Sequence, residues 1–388
     1  MLPKKETLLD QPGRRGLSAV IGQGATTNVY LTVDTELSSL HFRRHGAAGL
    51  EANFASSILG RTEAGDFGIL YQMERLDAFG LKGIFFVDTL VALVAGQEMV
   101  DRIVHPILEA GHDVQLHAHA EWLGRSKSGP TDGRGGRNMA DFPLEDQVRI
   151  LDYGIERLLA AGAPMPVAFR AGNYGANDDT LRALARVGIA CDTSYSPDYA
   201  DGVCGITLPR ETTAPVLHAG VIEVPVSAIA GPSGGSRHAQ ITALSAQEMI
   251  AALAYAALNH QAAFTIVSHS FELLCRQRTR PNRIVVRRFD RLCEVIASSP
   301  RLRSATYADD PPRPAPAGEC VDWLPHSLAR TLVRTGEQAV SNGLYGEQVA
   351  GMPVSAAAPA FTVRDRLIAP LQTLTPLQQI ALDILMAV

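Results

Sequence analysis

The sequence predicts an α/β fold in which parallel strands are joined by helical crossovers. Three observations predict it. Short apolar runs with strand character alternate with longer stretches of helical spacing. Polar residues able to do chemistry collect just after the strand-like runs, where parallel α/β barrels keep their sites. The chain has 388 residues, 46% of them apolar, enough for a sizeable core in one large domain or two smaller ones.

Residues 1–27 are polar, Gly-rich and irregular and read as an arm. Gly22 and Gly24 mark a turn there, since no lysine-bearing phosphate loop follows. Val29 to Val33 reads as a buried strand ending in Asp34-Thr35-Glu36. Residues 37–67 read as an insertion or long loop. Ile69, Leu70, Met73 and Leu76 give helical spacing over 68–79, and GIFFVDT at 83–89 is a strong buried strand. Ile103, Val104, Ile107 and Leu108 mark an amphipathic helix over 99–110, stopped by Gly111. The stretch GHDVQLHAHAEWL at 111–123 then carries a strand and two histidines. Residues 124–141, rich in Gly, Ser, Arg and Asp, form a long loop over the strand end.

Val148, Leu151, Ile155 and Leu158 predict a helix over 143–161. A short strand at 167–169 runs into Arg170. A helix over 178–187 closes on Gly188, and a strand at 189–191 leads into Asp192. Strands follow at 221–227 and 263–268, the second ending at His269. An alanine-rich helix over 246–258 lies between them, and a helix over 289–297 closes the domain. A Pro-rich linker, residues 309–318, ends it. The last segment, LTPLQQIALDILMAV, reads as an amphipathic helix. The expected organisation is an arm (1–27), a barrel domain (28–308), the linker and a helical tail (319–388).

The net charge of −5 and an aromatic content of 6% argue against a dedicated nucleic-acid binder, which needs a basic, base-stacking surface. The five cysteines, Cys191, Cys204, Cys275, Cys293 and Cys320, are odd in number and widely spaced, with no CxxC. Residues 1–20 lack the apolar core of a secretory signal, and no window reaches the length of a membrane span. The expected location is therefore cytoplasmic.

Asp34, Glu36, His117, Arg170, Asp192 and His269 all fall at strand ends. On an extended chain His117 and His119 share a face. If the chain coils there, His117 and Glu121 share one instead. Both arrangements converge two metal-capable side chains. His105, His112, His218 and His260 read as structural hydrogen-bonders. Arg276, Arg278, Arg280, Arg283, Arg287 and Arg288 form a run that reads as a solvated rim or as a patch for an anionic glycan or phosphate-bearing carrier. Trp122 reads either as a platform for a sugar ring or as core.

These motifs, in order over residues 28–300, resemble the polysaccharide deacetylase superfamily, the NodB-type carbohydrate esterases of family four. LKGIFFVDTL is similar to the strand before the family's second motif, and the stretch from Gly111 to His117 is similar to that motif. Arg170-Ala171-Gly172-Asn173-Tyr174-Gly175 resembles the third motif. ANDDTLRALARVGIACDTSYSP resembles the fourth, VIEVPVS a later strand, and VSHS the last motif. The resemblance implies a distorted (β/α) barrel of about seven parallel strands and a divalent metal, often zinc. It implies hydrolysis of the acetamido group of a sugar.

Carried over by position, Asp34 is the general base, held by Arg170, and His269 is the acid, tuned by Asp192. A backbone N–H near Asn173 or Tyr174 faces the oxyanion. The metal set is Glu36 and His117 with either His119 or Glu121, of which His119 gives zinc its preferred second imidazole. Trp122, Asn173 and Tyr174 are the expected substrate contacts. The chain departs from the family in Thr35, where a metal-binding aspartate is usual, in Glu121, where a histidine is usual, and in the third motif, which either replaces the usual proline with Gly172 or carries an inserted residue. The function implied is a metal-dependent deacetylase acting on a carbohydrate or N-acylated small molecule. The alternatives are hydrolysis of another non-peptide C–N bond on the same barrel and an inactive glycan-binding domain.

Overall fold

A computed structural model describes residues 26–200, 202–315 and 322–346. Most of the N-terminal arm, part of the Pro-rich linker and the terminal amphipathic segment lie outside the described residues.

Seven parallel strands form the centre. They are β1 (Thr27–Thr35), β2 (Ile84–Asp88), β3 (Asp113–Ala118), β4 (Ala168–Ala171), β5 (Cys191–Asp192), β6 (Val221–Glu223) and β7 (Ala263–His269). Their order across the sheet is β7-β1-β2-β3-β4-β5-β6. Val216–His218 pairs antiparallel with β6, and β8 (Leu302–Ser304) pairs parallel with β1. β1 and β2 are buried along nearly their whole length. That is why they read as continuous apolar runs rather than as alternating ones. The seam between β6 and β7 is bridged by extended chain. Ser227 N–H donates to the Thr265 carbonyl at 3.2 Å, and Val267 N–H donates to the Ala239 carbonyl at 2.9 Å. The result is a curled, distorted (β/α) barrel.

The helices cover the outside. Where the sequence reads an insertion, residues 37–67 form α1 (Ser39–His45), α2 (Leu50–Ser57) and a small hairpin. These short helices are held by tertiary polar contacts rather than by a hydrophobic period. Asn53 Nδ2 donates to the Ser38 carbonyl, and Ser38 N–H and Ser57 Oγ–H donate to Asn53 Oδ1. They are followed by α3 (Ile69–Ala78), α4 (Gln97–Glu109), α5 (Leu144–Ala160), α6 (Asp178–Val187) and α7 (Ala246–Leu258). α4 buries Val100, Ile103, Val104 and Ile107 and stops where Gly111 takes φ +67°. Capping boxes start α6 at Asn177 and α7 at Ser245.

α8 (Arg283–Ser298) begins six residues before the expected start at 289, because Asn282 caps it through the N–H groups of Ile284 and Val285. α9 (Leu328–Tyr345) turns its charged side inward. Arg334 Nε donates to Glu248 at 3.1 Å, and Arg288 Nη2 donates to Glu337 at 2.8 Å. Among the described residues, no helix is long and apolar enough to cross a membrane.

Phe86 sits where barrel core meets site. It is fully buried, with Tyr307 edge-on at 5.9 Å and the Arg170 guanidinium 4.6 Å from its ring centre. Phe86→Ala should therefore cost about 3–5 kcal/mol of stability, read by urea unfolding. A loss below about 1 kcal/mol would contradict this packing.

Candidate active site

Neighbouring strands deliver the site through their register. β1 and β7 set Asp34 beside His269, β2 and β3 set Asp88 beside His117, and β3 and β4 set His117 beside Arg170. All five residues lie at carboxyl ends of parallel strands.

Arg170 is fully buried. Its Nη1 donates to Asp34 Oδ1 at 2.6 Å and to Thr32 Oγ1 at 2.8 Å, and its Nε donates to the Thr193 carbonyl at 3.2 Å. Thr32 and Asp34 are two residues apart on β1, so both turn to the same face. The backbone carbonyl of Arg170 accepts from His117 Nδ1 at 2.7 Å. A carbonyl only accepts, so His117 carries its proton on Nδ1 and presents the Nε2 lone pair to the other side.

That nitrogen lies 3.3 Å from Glu36 Oε2. His119 Nε2 forms a close ion pair with the same carboxylate oxygen, while its Nδ1 lies 3.5 Å from Glu121 Oε2. The donor atoms of Glu36, His117 and His119 all lie within 4.8 Å of one another. Two donors on one tetrahedral ion at zinc distances sit about 3.4 Å apart, close to the Glu36–His117 spacing. The three residues therefore suit a divalent cation. Of the two options for the third ligand, His119 faces the cluster. Glu121 stands behind it, where it also accepts from Ser39 Oγ at 3.1 Å. Burial alone would raise the Glu36 carboxyl, but His119 and His117 hold it well below the usual range. Burial disfavours charge on His119, yet Glu36 and Glu121 lift it well above the ordinary imidazole value.

The glycine at 172 has a steric reason. A Cβ there would come within 2.6 Å of His119 Nδ1. Asn173 and Tyr174, which follow it, take φ of +58° and +56°, a conformation non-glycine residues adopt only under constraint. Tyr174 stacks on Tyr199 with ring centres 5.0 Å apart. Its hydroxyl is buried without a hydrogen-bond partner among the described residues.

His269 Nδ1 lies 3.0 Å from Glu272 Oε2. The other oxygen of Glu272 accepts from Gln240 Nε2 at 2.9 Å and from Thr242 N–H at 3.0 Å. Burial works against a charged imidazole here. Glu272, with Asp34 and Glu36 further off, overcomes it and raises His269 to about 9. His269, Glu36 and His119 keep 24%, 16% and 14% of their side-chain surface, so the cluster is not sealed from solvent. His117, at 2%, is its floor.

Two expectations are corrected. Trp122 is no sugar platform, because it is fully buried. Its Nε1 donates to Asp88 at 2.7 Å and Phe42 packs edge-on against it at 5.5 Å. Asp192 does not tune His269. It is buried at the end of β5, accepts from the Ser194 N–H at 2.9 Å and Oγ at 2.8 Å, and pairs across strands with Glu223. Glu272 takes the place expected of it, three residues after His269, a spacing visible in SHSFE. Asp88, absent from the expected site, ends the run IFFVD, and that strand-end position is its signal in the sequence. It is buried and accepts from the backbone N–H of His119 at 3.2 Å as well as from Trp122. It thereby fixes the turn that carries His119.

No protein-family model matches the chain, and no curated protein matches it. Several solved structures are similar to it. A Mycobacterium smegmatis protein described as a polysaccharide deacetylase is 20% identical, with a TM-score of 0.46 over 74% of this chain and 88% of that one. The 4-alpha-glucanotransferase of Thermococcus litoralis is 9% identical, with a TM-score of 0.45 over 80% of this chain and 43% of that one. A family 4 carbohydrate esterase from Streptomyces lividans is 12% identical, with a TM-score of 0.38 over 77% of this chain and 99% of that one. These likenesses are distant, and the functional reading rests on the residues of this chain.

The His269–Glu272 pair makes a pH prediction. In the metal-free protein His269 should titrate near 9, and Glu272→Gln should bring it down toward the ordinary value of about 6.5. Because the folded value is raised, the protonated ring stabilises the fold fully below about pH 6.5, and this contribution is lost as pH rises through about 9. NMR titration of the histidine ring protons reads the shift. An unchanged value in the variant would contradict the pairing.

Proposed function

We propose that the protein is a metal-dependent hydrolase that removes an N-acetyl group from an amino sugar or glycan precursor. The observation that carries this reading is the juxtaposition of the Glu36–His117–His119 donor set with a carboxylate, Asp34, and an imidazole, His269. The motif order supports the substrate class, and the geometry supports the reaction class.

Glu36, His117 and His119 would hold the ion, zinc by the character of two imidazoles and one carboxylate. When bound, it supplies Lewis acidity to the acyl carbonyl. Three protein ligands fit a catalytic site better than a structural one, which closes with four.

The chain's own groups account for the protons. Asp34 accepts one from the attacking water as the new C–O bond forms. Arg170 keeps Asp34 aimed, since the guanidinium bonds the same carboxylate. His269, protonated at neutral pH by virtue of Glu272, gives its proton to the sugar nitrogen as the C–N bond breaks. Acetate and a free amine leave, and Asp34 and His269 exchange the proton difference with solvent. Asn173, fixed in left-handed backbone three residues after Arg170, supplies polar atoms for the sugar, while the Tyr174 ring stacked on Tyr199 backs it from the interior.

Two outcomes follow. Purified protein should hold about one divalent ion per chain by elemental analysis, and His117→Ala should lose it. Acetate release from N-acetylated sugars should be chelator-sensitive and should fall by about 10²–10⁴-fold in Asp34→Asn. A chain without metal, or a variant as active as wild type, would sink the reading.

A further inference from the structure

The arginine run that follows β7 does not act as one patch. Arg280 donates to the Leu344 carbonyl at 2.6 Å, and Arg288 bonds the Ile241 carbonyl and Glu337. Arg278 instead turns toward the candidate active site. Its backbone takes φ +59°, a strained conformation for arginine that persists only where the surroundings enforce it. Its guanidinium carbon lies 3.6 Å from the centre of the Phe271 ring. That ring lies 5.4 Å from the His269 imidazole. Nη1 donates to Ser57 Oγ at 2.5 Å. Among the described residues no carboxylate forms an ion pair with it.

A guanidinium this sheltered, without a counter-charge, is costly, and burial pulls Arg278 below its ordinary range. The acid whose field reaches it is Glu36. That carboxylate is already shared by His117 and His119, and its charge is committed to a cation whenever one is bound. His41 on α1 also feels the Arg278 charge, so no compensation comes from that side. One N–H is used and the planar fork is otherwise uncommitted, which is the geometry that receives an oxyanion in two contacts.

We propose that Arg278 recognises a carboxylate or phosphate carried by the substrate near its acylamino group. The substrate class is then an acidic N-acyl sugar rather than a neutral glycan. This rests on the hydrolase reading above and narrows it.

The test uses the full zinc-loaded chain with four probes: N-acetylglucosamine, its 1-phosphate, its 6-phosphate, and the corresponding N-acetylhexosaminuronic acid. Both kcat/KM for acetate release and calorimetric binding are measured. At least one anionic probe should exceed the neutral sugar by about ten-fold or more. Which one does so tells phosphate from carboxylate. In Arg278→Gln the anionic-to-neutral ratio should fall to about two or less, and Arg278→Lys should keep part of it. If the Gln variant fails to fold, the wild-type ratio should still shrink as salt is raised. Equal handling of neutral and anionic probes, or a preference that survives in the Gln variant, overturns the assignment of Arg278 and leaves the hydrolase reading standing. Arg278-dependent anion binding with no acetate released from any probe supports the recognition role and removes the hydrolase reading.

Discussion

One buried cation organises the site. Arg170 lies with its guanidinium out of water, and an uncompensated charge there would cost several kcal/mol. Asp34, Thr32 and Thr193 supply the compensation through four donor contacts. The same residue uses its backbone carbonyl to fix the tautomer of His117. Asp34 on β1 and His117 on β3 are thus set by two ends of one residue on β4, and the register of these strands cannot slip without turning one of them away.

Around that centre, each side chain of the cluster has a reason to point where it does. The His119 backbone N–H donates to Asp88, and its ring occupies space that any side chain at 172 would fill. Glu121 stands on the far nitrogen, an arrangement that raises the basicity of the near one. Trp122 does its work from the interior, closing the turn with its indole N–H on Asp88. Glu272 does for His269 what Glu121 does for His119, and Gln240 and Thr242 hold Glu272 in turn. The polar groups nearest the chemistry are therefore backed by groups that restrict their rotation, which a reacting geometry needs.

Much of this was legible in the chain alone. Buried parallel strands announce themselves as unbroken apolar runs, so IFFVD, the run into Asp34 and the run into His269 could be read directly. The strand-end rule then named Asp34, Glu36, His117, Arg170 and His269 as neighbours. The parts that escaped depend on which way a side chain turns at a strand end. Asp192 ends a strand as Asp34 does, but Ser194 two residues later binds it back into the core. Trp122 has the composition of a sugar platform, yet burial sets its role. The short helices of 37–67 lack a hydrophobic period because Asn53 and Ser38 hold them by long-range polar contacts. Arg278 was one of six similar arginines in the sequence, and only its backbone conformation and its stacking on Phe271 set it apart.

The account stands or falls on where a divalent ion binds. Anomalous diffraction at the zinc edge from crystals of the full chain grown with zinc would show this directly. The account predicts one strong peak bonded to Glu36 and to the Nε2 atoms of His117 and His119, with Glu121 on the outer nitrogen of His119. A peak on other residues, or none at this cluster at saturating zinc, would contradict it.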